Sequence, residues 1–521
     1  MEFCCMQGRK DIQPKMLYQV TLYDLVPADN YYRQLDKTLD LHFLYAATKQ
    51  YYGSQGQESI DPVVFFKILL VGYLNNINSD RKLMEYCANC LDVRLFLKYD
   101  IDEALPWHST ISRTRQLYGE EVFLSLFQQV LQECCEKGMI RGKRQAIDSA
   151  YIKANASMDS LVEKEVIEDS SAYVNELNEG SEYKVTSERK KLVERHHAWK
   201  EKEYRDMPGH VDNPKQADEQ GNTIRPRYLS NHTHYSPTDP DAKISTKPGK
   251  PRQLNYAGQI AVDDAHHVIT AACASTAGSK DSENLPQILT QTQQNFEHLG
   301  LEVDQITADA GYSSGTALKY CEENNIDAYI PNFGQYKPER EGFIYNTEQN
   351  QYECIKEGGN KAILSYKGIK TDSKGYEKKN FRSSETICGK CPLRQQCCGV
   401  ATKFKKLEES IDKPYYDRMH QKLTHNAPYA KKISRIRSKT VEPVLGTLIN
   451  FLNMKKINSR GMAQANKHVL MAALTYNLKK LMKFNKPKVN ILAQALQKTA
   501  NSIGNAVSCL TGLNTKHIAA L

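Results

Sequence analysis

The apolar positions of the chain change period along its length, and the changes divide it. From Ile60 to Lys137 they recur every three or four residues, the period of helices that bury one face. Asp61 and Pro62 precede VVFFKILLVGYL, a helix start followed by a buried stripe. A second helix is expected from about Asp80 to Leu91, and Cys87 and Cys90 within it read as a buried helix face rather than a ligand pair. LPWHSTISRTRQLYGEEVF reads as a turn and then a helix. Ser109 or Thr110 is its expected cap, Trp107 and His108 are core and cap residues of the turn, and Arg113 and Arg115 face outward. Residues 1–55 are Tyr-rich with a weaker helical pattern. Residues 1–138 are therefore expected to form an all-α domain. Helix–turn–helix DNA binding and an all-α packing or dimerisation role are both open for it.

Strand periods follow. RQAIDSAYIKA, Arg144 to Ala154, is short, apolar at its centre and rich in strand formers, so it predicts a strand carrying Asp148. YAGQIAVDD and HHVITAACAS predict two strands joined by a tight turn at Asp263, Asp264 and Ala265, with His266 and His267 capping the hairpin. Asn284 to Leu299 is an expected helix, with Asp281 as its N-cap or as a residue near a metal. Val303 to Ala308 is a strand ending at Asp309, Ser314 to Asn325 a helix, and Ala328 to Pro331 a strand. That order describes a mixed α/β sheet with helices on its faces.

Two stretches interrupt it. Residues 158–206 carry charges of both signs at helical spacing, a solvated hairpin or a DNA-contacting arm, and 207–250 are loop-forming. In that loop Asp239 and Asp241 shape a turn or assist a metal, and His232 and His234 are loop histidines. Residues 332–411 are polar, Lys- and Gly-rich, and end in a Cys cluster. Helical patterns return from Pro414 to Lys483. The second domain is thus expected over 139–484, with insertions at about 158–250 and 332–411 and a loosely held tail at 485–521.

Composition sharpens the picture. A chain of 521 residues exceeds one ordinary core, and 40% apolar with 25% charged residues fits a soluble globular protein. No run of about 18 apolar residues exists, so no membrane span is expected. The start, MEFCCMQGRKD, lacks the apolar core of a signal peptide, so a cytoplasmic location is expected. Fourteen cysteines in such a chain are expected to be reduced thiols or metal ligands. The net charge of +9 is uneven. From Arg418 to Leu521 the chain has eighteen Lys and Arg against one carboxylate, Glu442, so that segment is +17 and residues 1–417 sum to −8. Basic surface of this density attracts polyanions.

Three carboxylates stand out. Asp148 lies mid-strand in an apolar context, where a charge must be paired or bind a cation. Asp309 ends another strand, and Gly311 permits a sharp turn after it. Ligands of open α/β sheets gather beyond strand ends. Glu442 precedes Pro443, which can occupy the first turn of a helix whose apolar face is Val444, Leu448, Phe451 and Leu452. Docking that face on the sheet brings Glu442 near the strand ends. Three oxygen donors suit Mg²⁺ or Mn²⁺, and two such ions about 4 Å apart support in-line displacement at phosphorus. Lys431, Lys432, Arg435, Arg437, Lys439, Lys455, Lys456 and Arg460 bracket Glu442 as a DNA track. Spacing alone does not select these three acids among the many in the chain.

The local strings do more. AIDSAYIKANAS, ADAGYSSGTALKY and TVEPVLGTLINFLNMKKINSRG together resemble the DDE transposases of bacterial insertion sequences. The helical segment from QESIDPVVFFKILL to PWHSTISRTR is similar to the InsH-type N-terminal domain of these enzymes, and SPTDPDAKIS, NYAGQIAVDD and SKDSENLPQIL are similar to their region between the first two acids. The resemblance covers most of the chain. It implies an RNase H-like catalytic fold, with Asp148, Asp309 and Glu442 holding Mg²⁺ or Mn²⁺ as two ions. It implies cleavage at element ends, transfer of the freed 3′-hydroxyl into target double-stranded DNA, a homodimer when synapsed on DNA, and a nucleoid-associated place in the bacterial cytosol. Tyr312 matches the aromatic after the second acid. Where many relatives carry Tyr, Arg and Lys around the Glu, this chain has Arg435, Ser438 and Ile449, and Arg437 with Lys455 or Lys456 are the candidates to replace them. A catalytically idle DNA-binding protein and an RNase H-fold nuclease without strand transfer are the rival readings.

Cys388, Cys391, Cys397 and Cys398 put four thiols into eleven residues. A CxxC turn with further cysteines can supply a tetrahedral structural Zn²⁺ site. Cys397 and Cys398 are adjacent, which leaves Cys354 as an alternative fourth ligand. Free thiols and an iron–sulfur cluster are the alternatives to zinc.

Overall fold

The computed structural model describes residues 19–53, 59–163, 230–231, 234–245, 252–334, 336–372, 375–398 and 402–484. Most of the mixed-charge stretch, part of the loop after it, His232 and the tail lie outside them. The chain divides into a unit running through Asn477 and a second from Leu478, of which only 478–484 are described.

The helical part centres on α1 (Pro62–Leu74). Asp61 caps it by accepting from the Val63 and Val64 N–H groups, with Pro62 in the first turn. Nearly every residue from Phe65 to Tyr73 is buried, so neighbouring helices surround α1. The charge of its one lysine is neutralised locally. Lys67 donates to Asp36 and to the Phe96 carbonyl, and burial lowers its pKa. Next come α2 (Asp80–Asn89), α3 (His108–Leu117) and α4 (Glu120–Glu136). Cys87 is buried on α2, and Cys90 ends it.

Three expectations fail in this region. Arg115 turns inward and makes a two-pronged pair with Asp80, at 2.6 and 3.0 Å, while Arg113 stays exposed. Helix α3 begins at His108 with Trp107 as its cap residue and no side-chain cap, because the helix starts early enough to place Ser109 and Thr110 inside it; Ser109 Oγ accepts from Arg113. Trp107 itself is 71% exposed, not core; the aromatic core positions belong to Phe65, Phe66, Tyr118 and Phe123.

The main sheet has five principal strands: β1 (Arg144–Lys153), β2 (Gln253–Asp263), β3 (Ile269–Thr276), β4 (Gln305–Thr307) and β5 (Asp327–Tyr329). Their order is β3-β2-β1-β4-β5. β1, β2 and β3 pair antiparallel, and β4 and β5 run parallel to β1. That is the RNase H-like arrangement the resemblance implied. A short strand, Lys243–Ser245, extends the β2 pairing. The β2–β3 turn is longer than expected, with β3 starting at Ile269 and His267 in the left-handed region (φ 58°). One face of the sheet is covered by α5 (Asp281–Glu297) and α6 (Gly315–Glu323), over a core of Ile147, Ala261, Leu285, Ile288, Ile306 and Leu318.

The polar stretch after β5 is a second sheet rather than a loop. β6 (Phe343–Asn346), β7 (Gln351–Cys354), β8 (Ile363–Thr371), β9 (Glu377–Ser383) and β10 (Lys406–Ser410) pair antiparallel in the order β10-β9-β8-β7-β6. Five buried residues, Phe343, Tyr352, Leu364, Phe381 and Leu407, form its core. Then come α7 (Lys413–His425), α8 (Ala427–Phe451) and α9 (Met462–Phe484). The helical N-terminal part grips the first turns of α9: Lys467 donates to the Arg115 and Tyr118 carbonyls, and Tyr73 OH meets His468 Nδ1 at 2.7 Å. No described helix is long and apolar enough to cross a membrane, and the eleven described cysteines are unbridged.

Asp239 and Asp241 act at a distance. Asp239, fully buried, accepts from Tyr256 OH at 2.6 Å and from Gly461 N–H at 3.1 Å; Asp241 accepts from Met462 N–H at 2.8 Å. Together they cap α9. Just before them, Val162–Glu163 pairs antiparallel with His234–Tyr235 and clasps the two ends of the interrupting segment. Replacing Asp239 by Ala should destabilise the protein by about 2 kcal/mol, because the loss leaves a buried tyrosine hydroxyl and a helix N–H unpaired. Asp241→Ala should cost only about 1 kcal/mol, the usual worth of a cap. Denaturant unfolding of the two variants checks the order, and equal costs would contradict it.

Candidate active site

Neighbouring residues of a strand point to opposite faces. Ile147 enters the core beneath α5 and α6, so Asp148, in register with Ile260, points the other way, toward α8. A helix turns about 100° per residue, which puts Ile433, Arg437, Val441, Val444 and Leu448 on one face of α8. The four apolar members are buried. The fifth, Arg437, sends its guanidinium into the sheet and donates to Asp148 Oδ2 at 2.8 Å and to Glu442 Oε1 at 3.3 Å. One cation thus lies between two of the three acids singled out by sequence.

Glu442 is not at a helix start. α8 runs for 25 residues, and Glu442 and Pro443 fall well inside it. Pro443 leaves the Lys439 carbonyl without its N–H partner. The helix continues because Val441, Val444, Leu445 and Leu448 are buried and Asn426 caps it by accepting from Tyr429 N–H. Phe451, expected on the docking face, is 64% exposed, and Leu452 takes the buried place.

Asp309 ends the loop after β4 and caps the single turn Ala310–Tyr312, with its Oδ1 accepting from Gly311 N–H at 2.9 Å. A methyl group at Gly311 would lie 3.0 Å from Asp309 Oδ1 and 3.5 Å from Asp281 Oδ2, so two carboxylates flank this glycine. Asp281 is the first residue of α5, with Lys280 as the cap residue in its stead. Its Oδ1 accepts from Ser149 Oγ at 2.7 Å and from Gln259 Nε2 at 3.2 Å. Gln259 Oε1 in turn accepts from the buried Tyr312 hydroxyl at 2.5 Å. This network ties β1, β2, α5 and the Asp309 turn together. Burial, then the fields of Asp281 and Asp148, hold the Tyr312 hydroxyl well above its ordinary pKa, so it remains a donor.

Burial also raises the Asp148 carboxyl above the usual carboxylate range. The Ser149 N–H and the Arg437 guanidinium pull it back, and the charge of Asp309 adds to the rise. Among the described residues no three His, Cys, Asp or Glu side chains converge as metal ligands. The donor set nevertheless suits a hard cation: carboxylates alone, one of them buried beside a guanidinium that supplies its positive charge. Around it Lys431, Lys432, Arg435, Lys439, Lys455, Lys456 and Arg460 are exposed, whereas Arg437 is drawn inward. A cavity of about 510 Å³ lies nearby, lined by Ser313, Phe333, Tyr336 and Tyr416 but by none of the acids.

Cys388, Cys391, Cys397 and Cys398 line one small cavity of the second sheet, joined by Cys354 at the end of β7. Burial and the neighbouring Cys397 and Cys388 push the Cys398 thiol up to about 11.

Two residues of the site are only partly legible in the sequence. Arg437, expected in the DNA track, has an i, i+4 spacing from Ile433 and to Val441 that marks an inward position. Asp281, expected as a cap or near a metal, carries no local signal that decides between the two, because its partners come from β1 and β2.

Residues 20–117 match the family model described as a transposase domain (DUF772), and residues 358–482 match that of a transposase DDE domain. The comparison with curated proteins finds no match. Among solved structures, a piggyBac transposase synaptic complex with hairpin DNA aligns over 90% of this chain and 85% of that one, at 10% identity and a TM-score of 0.26. The order of the two matches, a transposase domain and then a transposase DDE domain, is that of a DDE transposase.

Proposed function

We propose that the protein cleaves the ends of its insertion element and joins the freed 3′-hydroxyls to target DNA, with Asp148, Asp309 and Glu442 as the acids that hold Mg²⁺ or Mn²⁺. The observation that carries the reading is the guanidinium of Arg437 between Asp148 and Glu442. It is a cation in a place built from carboxylates, on a helix whose outer residues are exposed lysines and arginines. Such divalent ions supply Lewis acidity and charge neutralisation for displacement at phosphorus. The chain's own residues do the rest. Lys431, Arg435 and Lys439 follow one another at four-residue spacing along α8, on the side that carries Glu442, and there they hold the DNA backbone by charge. Ser149 and Gln259 fix Asp281, and Asp309 is fixed by the Gly311 amide. Two element ends held together call for two copies of the chain on DNA, working in the bacterial cytosol.

A second reading, an idle DNA-binding descendant, draws on the same guanidinium and on Ile449, which stands where relatives carry Lys. Activity separates the two. The cysteine-lined cavity is proposed as a structural zinc site on its donor chemistry, four thiols within eleven residues and a fifth beside them.

Incubated with Mg²⁺ and labelled element ends, the protein should nick and join them. Asp148→Ala, Asp309→Ala and Glu442→Ala should each lower the rate roughly a thousandfold, the several kcal/mol that bound ions contribute. Retained activity in any of the three removes that residue from the site, and binding without nicking supports the idle descendant.

Stability gives a second test. The folded-state pKa of Asp148 is raised, so its ionisation works against the fold as pH rises through that value. Arg437→Met removes the compensating cation and should cost about 3 kcal/mol at pH 7. The loss should shrink as pH falls and Asp148 is protonated, and millimolar Mn²⁺ should recover it at neutral pH. A loss that ignores both pH and Mn²⁺ would count against the cation role. Elemental analysis of the purified chain should find one zinc per copy, and Cys388→Ser should remove it.

A further inference from the structure

β8 differs from every other strand of its length. After Leu364 none of its residues is buried, whereas β2 is buried from Leu254 to Asp263. The pairing of β7 with β8 reaches only Ser365, so beyond it one backbone edge of β8 has no strand partner among the described residues. The other edge pairs with β9 through an irregularity between Tyr366 and Ile369, where Gly368 has φ 94°. This outlying part is strongly basic: residues 361–382 carry seven Lys and Arg against two acids. Lys367 and Lys370 are exposed, and Tyr366, Ile369 and Tyr376 are exposed large side chains among them.

A single lysine suffices to discourage edge-to-edge pairing. A cluster with interleaved aromatics goes further, and the placement of its tip gives it direction. Tyr376, in the turn between β8 and β9, accepts a hydrogen bond from Lys280 Nζ at 3.0 Å. Lys280 adjoins Asp281, whose free oxygen flanks Gly311 together with Asp309. The hairpin therefore starts at the rim of the acidic site and leads away from it.

We propose that the β8–β9 hairpin is a second duplex-DNA contact surface, which grips the phosphate backbone of the DNA emerging from the acidic site through Lys367 and Lys370. The proposal rests on the DNA-processing reading but uses residues apart from the α8 track. Phosphate contacts set the salt dependence of binding, roughly 0.9 in the slope of log K against log salt per contact in B-form DNA.

The test is fluorescence-anisotropy binding of the full chain to a duplex carrying the element end, across a salt series. The variant Lys367→Gln/Lys370→Gln should flatten the slope by about 2 and weaken binding at low salt, with an unchanged melting temperature. A variant on α8, Lys431→Gln/Arg435→Gln/Lys439→Gln, serves as comparison. If the α8 variant flattens the slope and the hairpin variant does not, the hairpin proposal is wrong and the functional reading stands. If the hairpin variant alone flattens it, the hairpin is a contact surface and the α8 track is not. A wild-type chain whose weak binding ignores salt overturns both.

Discussion

A carboxylate in the middle of the central strand cannot be left alone, and the fold answers to that constraint. Asp148 is half-buried on the α8 face of the sheet, where an uncompensated charge is costly. Arg437 meets it from α8. For the guanidinium to arrive there, α8 must lie across β1 with the stripe from Ile433 to Leu448 inward. Once that rotation is set, Glu442 lies exposed on the side of α8 that carries Lys431, Arg435 and Lys439, and still meets the same guanidinium. One ion pair therefore orders both the acids and the basic surface around them.

The opposite face is organised by neutral hydrogen bonds rather than by charge. Ser149, Gln259 and Tyr312 hold Asp281 and the Asp309 turn with short, fixed contacts. The two faces differ in kind: one side holds its acid by a guanidinium, the other by hydroxyl and amide groups. The helical N-terminal part contributes from outside. Its carbonyls anchor Lys467, which fixes the start of α9 and with it the chain that follows α8.

Much of this was legible in the sequence. Local periodicity marked α1, β1, the β2–β3 hairpin, α5 and α6, and their order implied the sheet. The place of Asp148 in a strand and of Asp309 just past one followed from the same patterns. What failed depended on distant partners. The second sheet was hidden because its strands are mostly exposed and Lys-rich, with five buried residues for a core. The length of α8 was hidden because Pro443 signals a start, while tertiary burial carries the helix through it. Arg115 is expected to face outward and Arg437 to join the DNA track; each points inward because an aspartate distant in sequence waits there.

The clasp between Val162–Glu163 and His234–Tyr235 has a consequence for how such a chain can change over time. It closes the interrupting segment at its base, and immediately beyond it Asp239 and Asp241 lock the returning chain to α9. The closure entropy of a loop grows only slowly with its length once its ends are held. The stretch of sequence between the two strands of the clasp can thus be lengthened, trimmed or exchanged as a cassette while the strands that carry the acids keep their register. The core can stay under tight constraint while that stretch diverges.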